Sequence, residues 1–274
     1  MARILLHLGL HKTGTSSMQH LLWFNRALLA PHLDFLLLRP LRVAARHCLA
    51  FSRSRDPLHL SALTKALDTI FAAQPELGQR DLILSSENLS GVMPGWEGND
   101  GYAAVPVLSE HLVAYFADRF PNADLNLVFS TRAPEDWLAS LWRHQVRWRR
   151  MTMDFDDFAM HYRQGADLES LVSVVAKKFA PVAVYNLALE ESQHHPKGPG
   201  GALLDLIDLP TAVCDAIAPV GRGNPRQDDN LNKRFLAMNR SDVSDTELFL
   251  HKVILAKRAN IRAWVPAQAS PEAG

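Results

Sequence analysis

The chain lacks the features that would place it in several broad classes. It has two cysteines, Cys48 and Cys214, in 274 residues, too few for a disulfide framework or a four-cysteine metal site. They read as two separate buried thiols rather than a bridge. No apolar run approaches the ~20 residues that span a bilayer. Residues 1–10 hold one arginine, an apolar stretch broken by His7 and no small-residue cleavage site. A secretory signal is therefore not expected, and a reducing cytoplasm is the expected compartment. Neither charge is in excess, since 29 Lys+Arg stand against 29 Asp+Glu. That balance argues against a protein built to hold a nucleic-acid backbone. Internal repeats and low-complexity linkers are missing too, and a hydrophobic content of 47% excludes wholesale disorder.

What is present is an alternation of short apolar runs with helical periodicity. Runs at 3–8, 34–38, 81–86, 125–130 and 182–185 read as buried strands. Helical patterns cover 14–29 (stopped by Pro31), 41–75 with breaks near 53–57 and at Pro75, 102–120, 168–179, 201–208 and 244–260. A further helix starts at Pro134, with Glu135 and Asp136 in its first turn, a good start signature. The stretch 91–101 reads as a surface loop and 193–201 as a candidate insertion. The expectation is one domain over 1–265 with a fraying tail at 266–274. Strand–helix alternation implies an α/β fold, a central parallel β-sheet flanked by helices. In such sheets ligands bind beyond the carboxyl ends of the strands. The turns after the strands at 3–8, 81–85 and 125–130 are thus where chemistry belongs.

The first of these turns carries the strongest signal. In His7-Leu-Gly-Leu-His-Lys-Thr-Gly-Thr-Ser-Ser a strand runs through Gly9 into Lys12, Gly14 and the hydroxyl cluster Thr13, Thr15, Ser16 and Ser17, which opens a helix. Free N–H groups and the positive helix end make such a terminus an anion site. Gly14 lets the backbone wrap the anion, and Lys12 adds a point charge. The order G-x-x-x-x-G-K-[ST] of the nucleotide triphosphatases is absent, and so is G-x-G-x-x-G. After the strand at 125–130, Phe129-Ser-Thr-Arg-Ala-Pro-Glu-Asp-Trp-Leu-Ala-Ser sets Arg132 at a strand end and Ser140 eight residues later, two turns down the next helix. The two can converge on one anion, for which the guanidinium fork is suited. The plainer alternative is that Arg132 pairs with Glu135 or Asp136.

Lys-Thr-Gly-Thr-Ser after a first strand resembles the 5′-phosphosulfate loop of the sulfotransferases that use 3′-phosphoadenosine-5′-phosphosulfate (PAPS). The Arg132/Ser140 spacing is similar to that family's 3′-phosphate signature. Leu82-Ile-Leu-Ser-Ser-Glu-Asn-Leu resembles the Ser-Ser-Glu segment of bacterial members. Val182-Ala-Val-Tyr-Asn-Leu with 204–209 and Pro210 resembles its late strand and helix end. The Arg-Lys-Gly loop that closes over the donor in animal members is not recognisable, and Arg222 and Arg226 are weak candidates to replace it.

The resemblance implies a P-loop-like three-layer sandwich and transfer of a sulfuryl group from PAPS, leaving adenosine 3′,5′-bisphosphate, with no metal. Donor-binding candidates are Lys12, Thr13, Gly14, Thr15, Ser16, Ser17, Arg132 and Ser140. Lys12 is also the choice for balancing charge on the leaving oxygen. Glu87 is the candidate base, at the binding end of the sheet, with His11 as the second choice because imidazole titrates near neutrality, although a His beside such a loop reads equally well as a hydrogen-bond donor. His194 and His195 read as loop residues rather than ligands. The basic stretch 143–150, with Trp137, Trp142 and Trp148 in or near it, reads as a solvated helix end in preference to a docking site. The acceptor would be a small molecule, lipid or saccharide bearing a hydroxyl or amine, in a pocket formed by 39–60, 91–101 and 150–166. Oligomeric state is not legible. Two other readings stay open: a small-molecule kinase with a degenerate phosphate loop, and a non-catalytic nucleotide-binding module of the same fold.

Overall fold

Five strands pair side by side into one sheet of order β2-β3-β1-β4-β5, and every pairing is parallel. The computed structural model describes residues 1–96, 99–221 and 229–258. Along the chain the elements are β1 (Arg3–His7), α1 (Thr15–Phe24), α2 (Arg26–Leu29), β2 (Leu33–Leu36), α3 (Arg42–Ser54), α4 (Leu58–Ala73) and β3 (Asp81–Ser85). There follow α5 (Val105–Arg119), β4 (Asp124–Thr131), α6 (Pro134–Trp148), α7 (Phe155–Tyr162), α8 (Leu168–Phe179) and β5 (Ala183–Ala188). The remainder is α9 (Leu189–Ser192), α10 (Pro199–Leu204), α11 (Thr211–Ala216), α12 (Asp229–Asn239) and α13 (Asp245–Arg258). Arg222, Arg226 and the tail 266–274 lie outside the described residues.

The expected α/β fold with a helix-flanked parallel sheet is thus the observed one. It has helices on both faces because its central strands are apolar on both. Leu5, Ile83 and Val128 point to one side, where they form a core with Met18, Leu21 and Leu22 of α1, Leu29 of α2, Leu203 and Leu204 of α10 and Val213 of α11. The alternate residues Ile4, Leu6, Leu82, Leu84, Leu127 and Phe129 are equally buried, and α5 and α8 pack against β4. Continuous apolar strands of this kind are expected where both faces are covered. At the outer edge, Arg80 Nε holds Asp34 Oδ1 of β2 at 3.0 Å. No helix among the described residues is long and apolar enough to cross a membrane. Both cysteines are free; Cys48 is buried and Cys214 partly so.

By its contacts the chain forms two compact units. The first, Met1–Trp137 with Tyr162–Gly223, contains the whole sheet. The second is Leu138–His161 with the described part of 224–274. Its small core joins Val146 to Leu231, Phe235, Leu255 and Ala256. Lys252 donates from Nζ to the Val146 and Arg149 carbonyls at 2.9 and 2.8 Å, a cation on the open carbonyls of a helix end. Burial lowers its pKa to about 8.

Several segments differ from the sequence-based expectation. The stretch 91–101 begins buried rather than on the surface, with Val92 2% and Met93 6% exposed. Ser52 Oγ accepts from the Val92 N–H and Asn99 Nδ2 donates to the Val92 carbonyl, so this backbone can leave water without losing partners. Segment 39–60 is mostly the helix α3, and 150–166 contains α7 and a 3-10 turn, Arg163–Ala166; neither is an open loop. The candidate insertion 193–201 runs into α10, which packs on α1. His195, bonded through Nδ1 to the Lys197 N–H and lying 3.3 Å from Asp205, braces that corner. Gly200 is what lets the two helices close, because a Cβ there would lie 2.6 Å from Leu21 Cβ.

That last contact is between atoms fixed to two backbones, so it cannot relax by a side-chain rotation. Gly200→Ala should push α10 off α1 and cost ~1–3 kcal/mol. The urea midpoint, at unchanged slope, measures it.

Candidate functional site

Three strands end side by side and launch the three turns that matter. His7 is in register with Ser85 and with Val128, so the residues that follow β1, β3 and β4 emerge at one end of the sheet. Two bonds extend the pairing beyond the strands: Leu8 N–H to the Val128 carbonyl at 3.0 Å, and Ser86 N–H to the His7 carbonyl at 3.2 Å.

The loop from Leu8 to Gly14 is anchored from beneath. Leu8 and Leu10 are fully buried. Thr13 Oγ1 donates to the Leu10 carbonyl at 2.5 Å and lies 2.6 Å from Ser130 Oγ; Thr15 Oγ1 is 3.5 Å from the same carbonyl. Of the hydroxyl cluster, Thr13 and Thr15 thus face inward, while Ser16 is exposed and Ser17 half-buried. Gly9 has no room for a side chain, since a Cβ would lie 2.6 Å from Thr15 Oγ1 and 2.9 Å from His7 Nε2. Lys12 (φ 69°) and Gly14 (φ 97°) take left-handed conformations, which turn the chain into α1 with Gly14 at its cap.

The result is a row of N–H donors that the backbone leaves open. The Ser17 N–H is accepted by the Gly14 carbonyl at 2.9 Å. The N–H groups of Thr13, Gly14, Thr15 and Ser16 have no backbone acceptor among the described residues. Four donors at the positive end of a helix, beside Lys12, are suited to a phosphate or sulfonate.

The turn after β3 is a short 3-10 helix, Glu87–Ser90. Glu87 Oε2 accepts from Gln19 Nε2 of α1 at 3.2 Å, and the same nitrogen is 3.2 Å from the Ser85 carbonyl. Gln19 of α1 therefore ties the helix that follows the Leu8–Gly14 loop to the Glu87 turn. His11 lies between the two turns, with Nε2 3.3 Å from Asn88 Oδ1 and Nδ1 3.1 Å from the Tyr102 hydroxyl. Its backbone is held as well, the N–H by Tyr102 and the carbonyl by Trp137 Nε1, both at 2.9 Å. Burial lowers the His11 pKa; Glu87 and Asn88 oppose that and Lys12 adds to it.

Arg132 follows β4, with Nη2 3.9 Å from Asp136 Oδ1. That distance makes a weak ion pair, half in water, and Arg132 Nε is buried without a partner among the described residues. The plainer alternative, pairing with Asp136, is therefore met only in part. Ser140 is half-buried on α6. Glu190, after β5, accepts from the Ala133 N–H at 3.0 Å and so fastens the turn that carries Arg132. In the second unit the basic stretch is largely occupied: Arg150 binds Asp245 and the Ser241 carbonyl, and Arg143 Nε is 3.7 Å from Asp229. Trp142 Nε1 donates to the Met153 carbonyl.

No family model and no curated protein matches the chain. In overall structure it is similar to a sulfotransferase from Alicyclobacillus acidocaldarius, with 16% identity, a TM-score of 0.49, and 94% of this chain and 95% of that chain covered. A likeness at that level carries no functional weight, which falls instead on the geometry of the three turns.

Sequence reasoning picked out Lys12, Gly14 and Glu87, and their turns do adjoin. It missed Gln19, Asn88, Tyr102 and Glu190. Gln19 had a usable signal, as a polar residue on the buried side of α1 in line with Thr15; the others depend on contacts between segments far apart in sequence. It also missed a buried polar layer beneath the loop. His7 is fully buried with Nδ1 2.8 Å from Ser85 Oγ, and burial lowers its pKa to about 4.

The sign of that shift sets a pH dependence. Below the ordinary value of 6.5 the unfolded chain takes up a proton that the folded protein refuses. Stability should therefore fall as the pH drops from about 6.5 to about 4, by on the order of 3 kcal/mol from this residue. His7→Asn should flatten the fall, as read from urea midpoints measured across that window.

Proposed function

We propose that the protein is a sulfotransferase that moves the sulfuryl group of PAPS to a hydroxyl or amine of an acceptor. The observation that carries this reading is the adjacency of an open row of N–H donors with Lys12 and a turn bearing a carboxylate, Glu87. PAPS would supply an activated sulfuryl group on a phosphate leaving group. The residues fit its anions: the Thr13–Ser16 N–H groups suit the 5′-phosphate and sulfonate, and the Nε of Arg132, buried without a partner among the described residues, suits a 3′-phosphate.

In this reading the acceptor oxygen attacks sulfur in line, the bond from sulfur to the bridging phosphate oxygen breaks, and the acceptor's proton passes to Glu87. Lys12 offsets the charge that grows on the departing oxygen. Little covalent work falls to the protein, which positions the groups and stabilises charge. The deciding experiment is transfer of labelled sulfate from PAPS to a panel of alcohols and amines. Consumption of ATP with magnesium instead would favour the kinase alternative. Binding of the bisphosphate without transfer to any acceptor would favour the non-catalytic one.

Two variants test individual roles. Arg132→Ala should weaken adenosine 3′,5′-bisphosphate by roughly ten- to a hundredfold, the worth of a charge-assisted bond, and leave 5′-AMP nearly unaffected. Titration calorimetry with both nucleotides decides this, and equal losses would make Arg132 a brace of the turn. Glu87→Gln keeps the shape and the contact with Gln19 but deletes the base. Turnover should fall by ~10²–10⁴-fold at nearly unchanged donor affinity. Wild-type turnover at saturating donor and acceptor would remove Glu87 from the mechanism.

A further inference from the structure

Tyr102 lies at the end of the partly buried segment that follows the Glu87 turn, just before α5, and is 5% exposed. Its hydroxyl meets two atoms of one residue in the phosphate loop: it accepts from the His11 N–H at 2.9 Å and lies 3.1 Å from His11 Nδ1. The two rings stack at 6.1 Å with planes 12° apart, and the Tyr102 ring also lies against Trp137, 6.4 Å away. Trp137 Nε1 in turn donates to the His11 carbonyl. Both main-chain polar groups of His11, one residue before the left-handed Lys12, are thus bound by side chains from outside the loop. Few loop residues are so fully determined.

The partners' chemistry also bears on where the imidazole carries its proton. The Tyr102 oxygen already accepts the main-chain N–H, and giving its own proton to a bare Nδ1 lets the hydroxyl use both its donor and its acceptor capacity on His11. Burial holds the phenol protonated. The remaining ring nitrogen, Nε2, faces the carbonyl oxygen of Asn88 at 3.3 Å, an acceptor that calls for an N–H.

We propose that Tyr102 is a positioning residue that clamps the phosphate loop at His11 and holds the imidazole as the neutral Nε2–H tautomer, so that His11 is a hydrogen-bond donor and not a base. This rests on the sulfotransferase reading for the identity of the loop's ligand, but the tautomer does not. With Nδ1 occupied by the phenol proton and Nε2 carrying its own, neither nitrogen offers a lone pair to an acceptor hydroxyl. His11 then leaves the proton transfer to Glu87, and its part is to hold the loop and the Glu87–Ser90 turn at a fixed distance.

Two measurements test it. The first is the long-range 15N–1H spectrum of the unaltered protein labelled in histidine, with His11 assigned by loss of its signal in His11→Gln. The expected pattern is an unprotonated Nδ1 and a protonated Nε2; a protonated Nδ1 overturns the proposal. The second uses Tyr102→Phe, which retains the ring and its stacking. Titration with adenosine 3′,5′-bisphosphate should show a loss of about two- to tenfold, the effect of one neutral hydrogen bond, with little change in melting temperature and with a shifted His11 nitrogen pattern. A lowered melting temperature with unchanged affinity and nitrogen pattern would make the tyrosine purely structural and overturn the clamp alone. Failure of the unaltered protein to bind the bisphosphate would overturn the donor reading and the clamp's role in it, whereas the tautomer result stands by itself.

Discussion

The turn between β1 and α1 must reverse the chain over the end of a fully buried strand, and the Leu10 carbonyl is the group on which that turn closes. It would be an unsatisfied acceptor in a dry place if Thr13 did not donate to it, with the Thr15 hydroxyl at the limit of bonding distance. With those hydroxyls spent on the Leu10 carbonyl, the N–H groups of the same residues are left without a backbone acceptor among the described residues. The left-handed backbone at Lys12 and Gly14 follows from the same closure. Glycine adopts that conformation freely, whereas at Lys12 it carries a modest penalty. A strained lysine here is a sign that the surroundings over-determine the loop, and the contacts from Tyr102, Trp137, Ser130 and Thr15 are those surroundings.

Beneath the loop the packing is polar where a parallel sheet is usually apolar. His7, Ser85 and Ser130 share the face that Leu5, Ile83 and Val128 make greasy further down, and Gln19 and Thr15 come to it from α1. Register explains the clustering, since His7 stands opposite Ser85 and Ser130 lies two residues beyond the Val128 that also faces His7. A neutral, deeply buried histidine is a costly choice for a core, but its bond to Ser85 and the glutamine above it tie β1, β3 and α1 together. Glu87 is held through that glutamine, so the layer under the loop and the carboxylate beside it are one construction.

Much of this was legible in the sequence, for reasons that differ by element. The central strands β1 and β3 were readable because each holds a short run of Leu and Ile bounded by polar or turn residues, as strands covered on both faces do. The tight turn between β1 and α1 was readable because glycines and hydroxyls between a strand and a helix mark such a turn, and Gly14 indeed caps α1 in a left-handed conformation. The segments 91–101 and 193–201 misled because Gly and Pro mark turns without saying whether water reaches them. Ser52 and Asn99 tie down the first, and Gly200, in the stretch read as an inserted loop, proves to be a close helix contact. The helices α7, α11 and α12 were missed because they are short or strongly polar, so tertiary contacts decide them more than periodicity does. Tyr102 could not have been found, since its role depends on meeting His11 across ninety-one positions of chain.

The sheet's outer border has a consequence of a different kind. It ends on β2, four residues long, set between Pro31 and Pro40, with Asp34 fastened to Arg80 of the stretch just before β3. An unpaired strand border is a template on which another polypeptide can add itself, and length and flatness make that template effective. Four residues hemmed in by prolines, one of them carrying an ion pair, offer a newcomer little backbone to grip. On this side of the sheet, that short, charged hem leaves concentrated or freshly synthesised chains little on which to stack border to border.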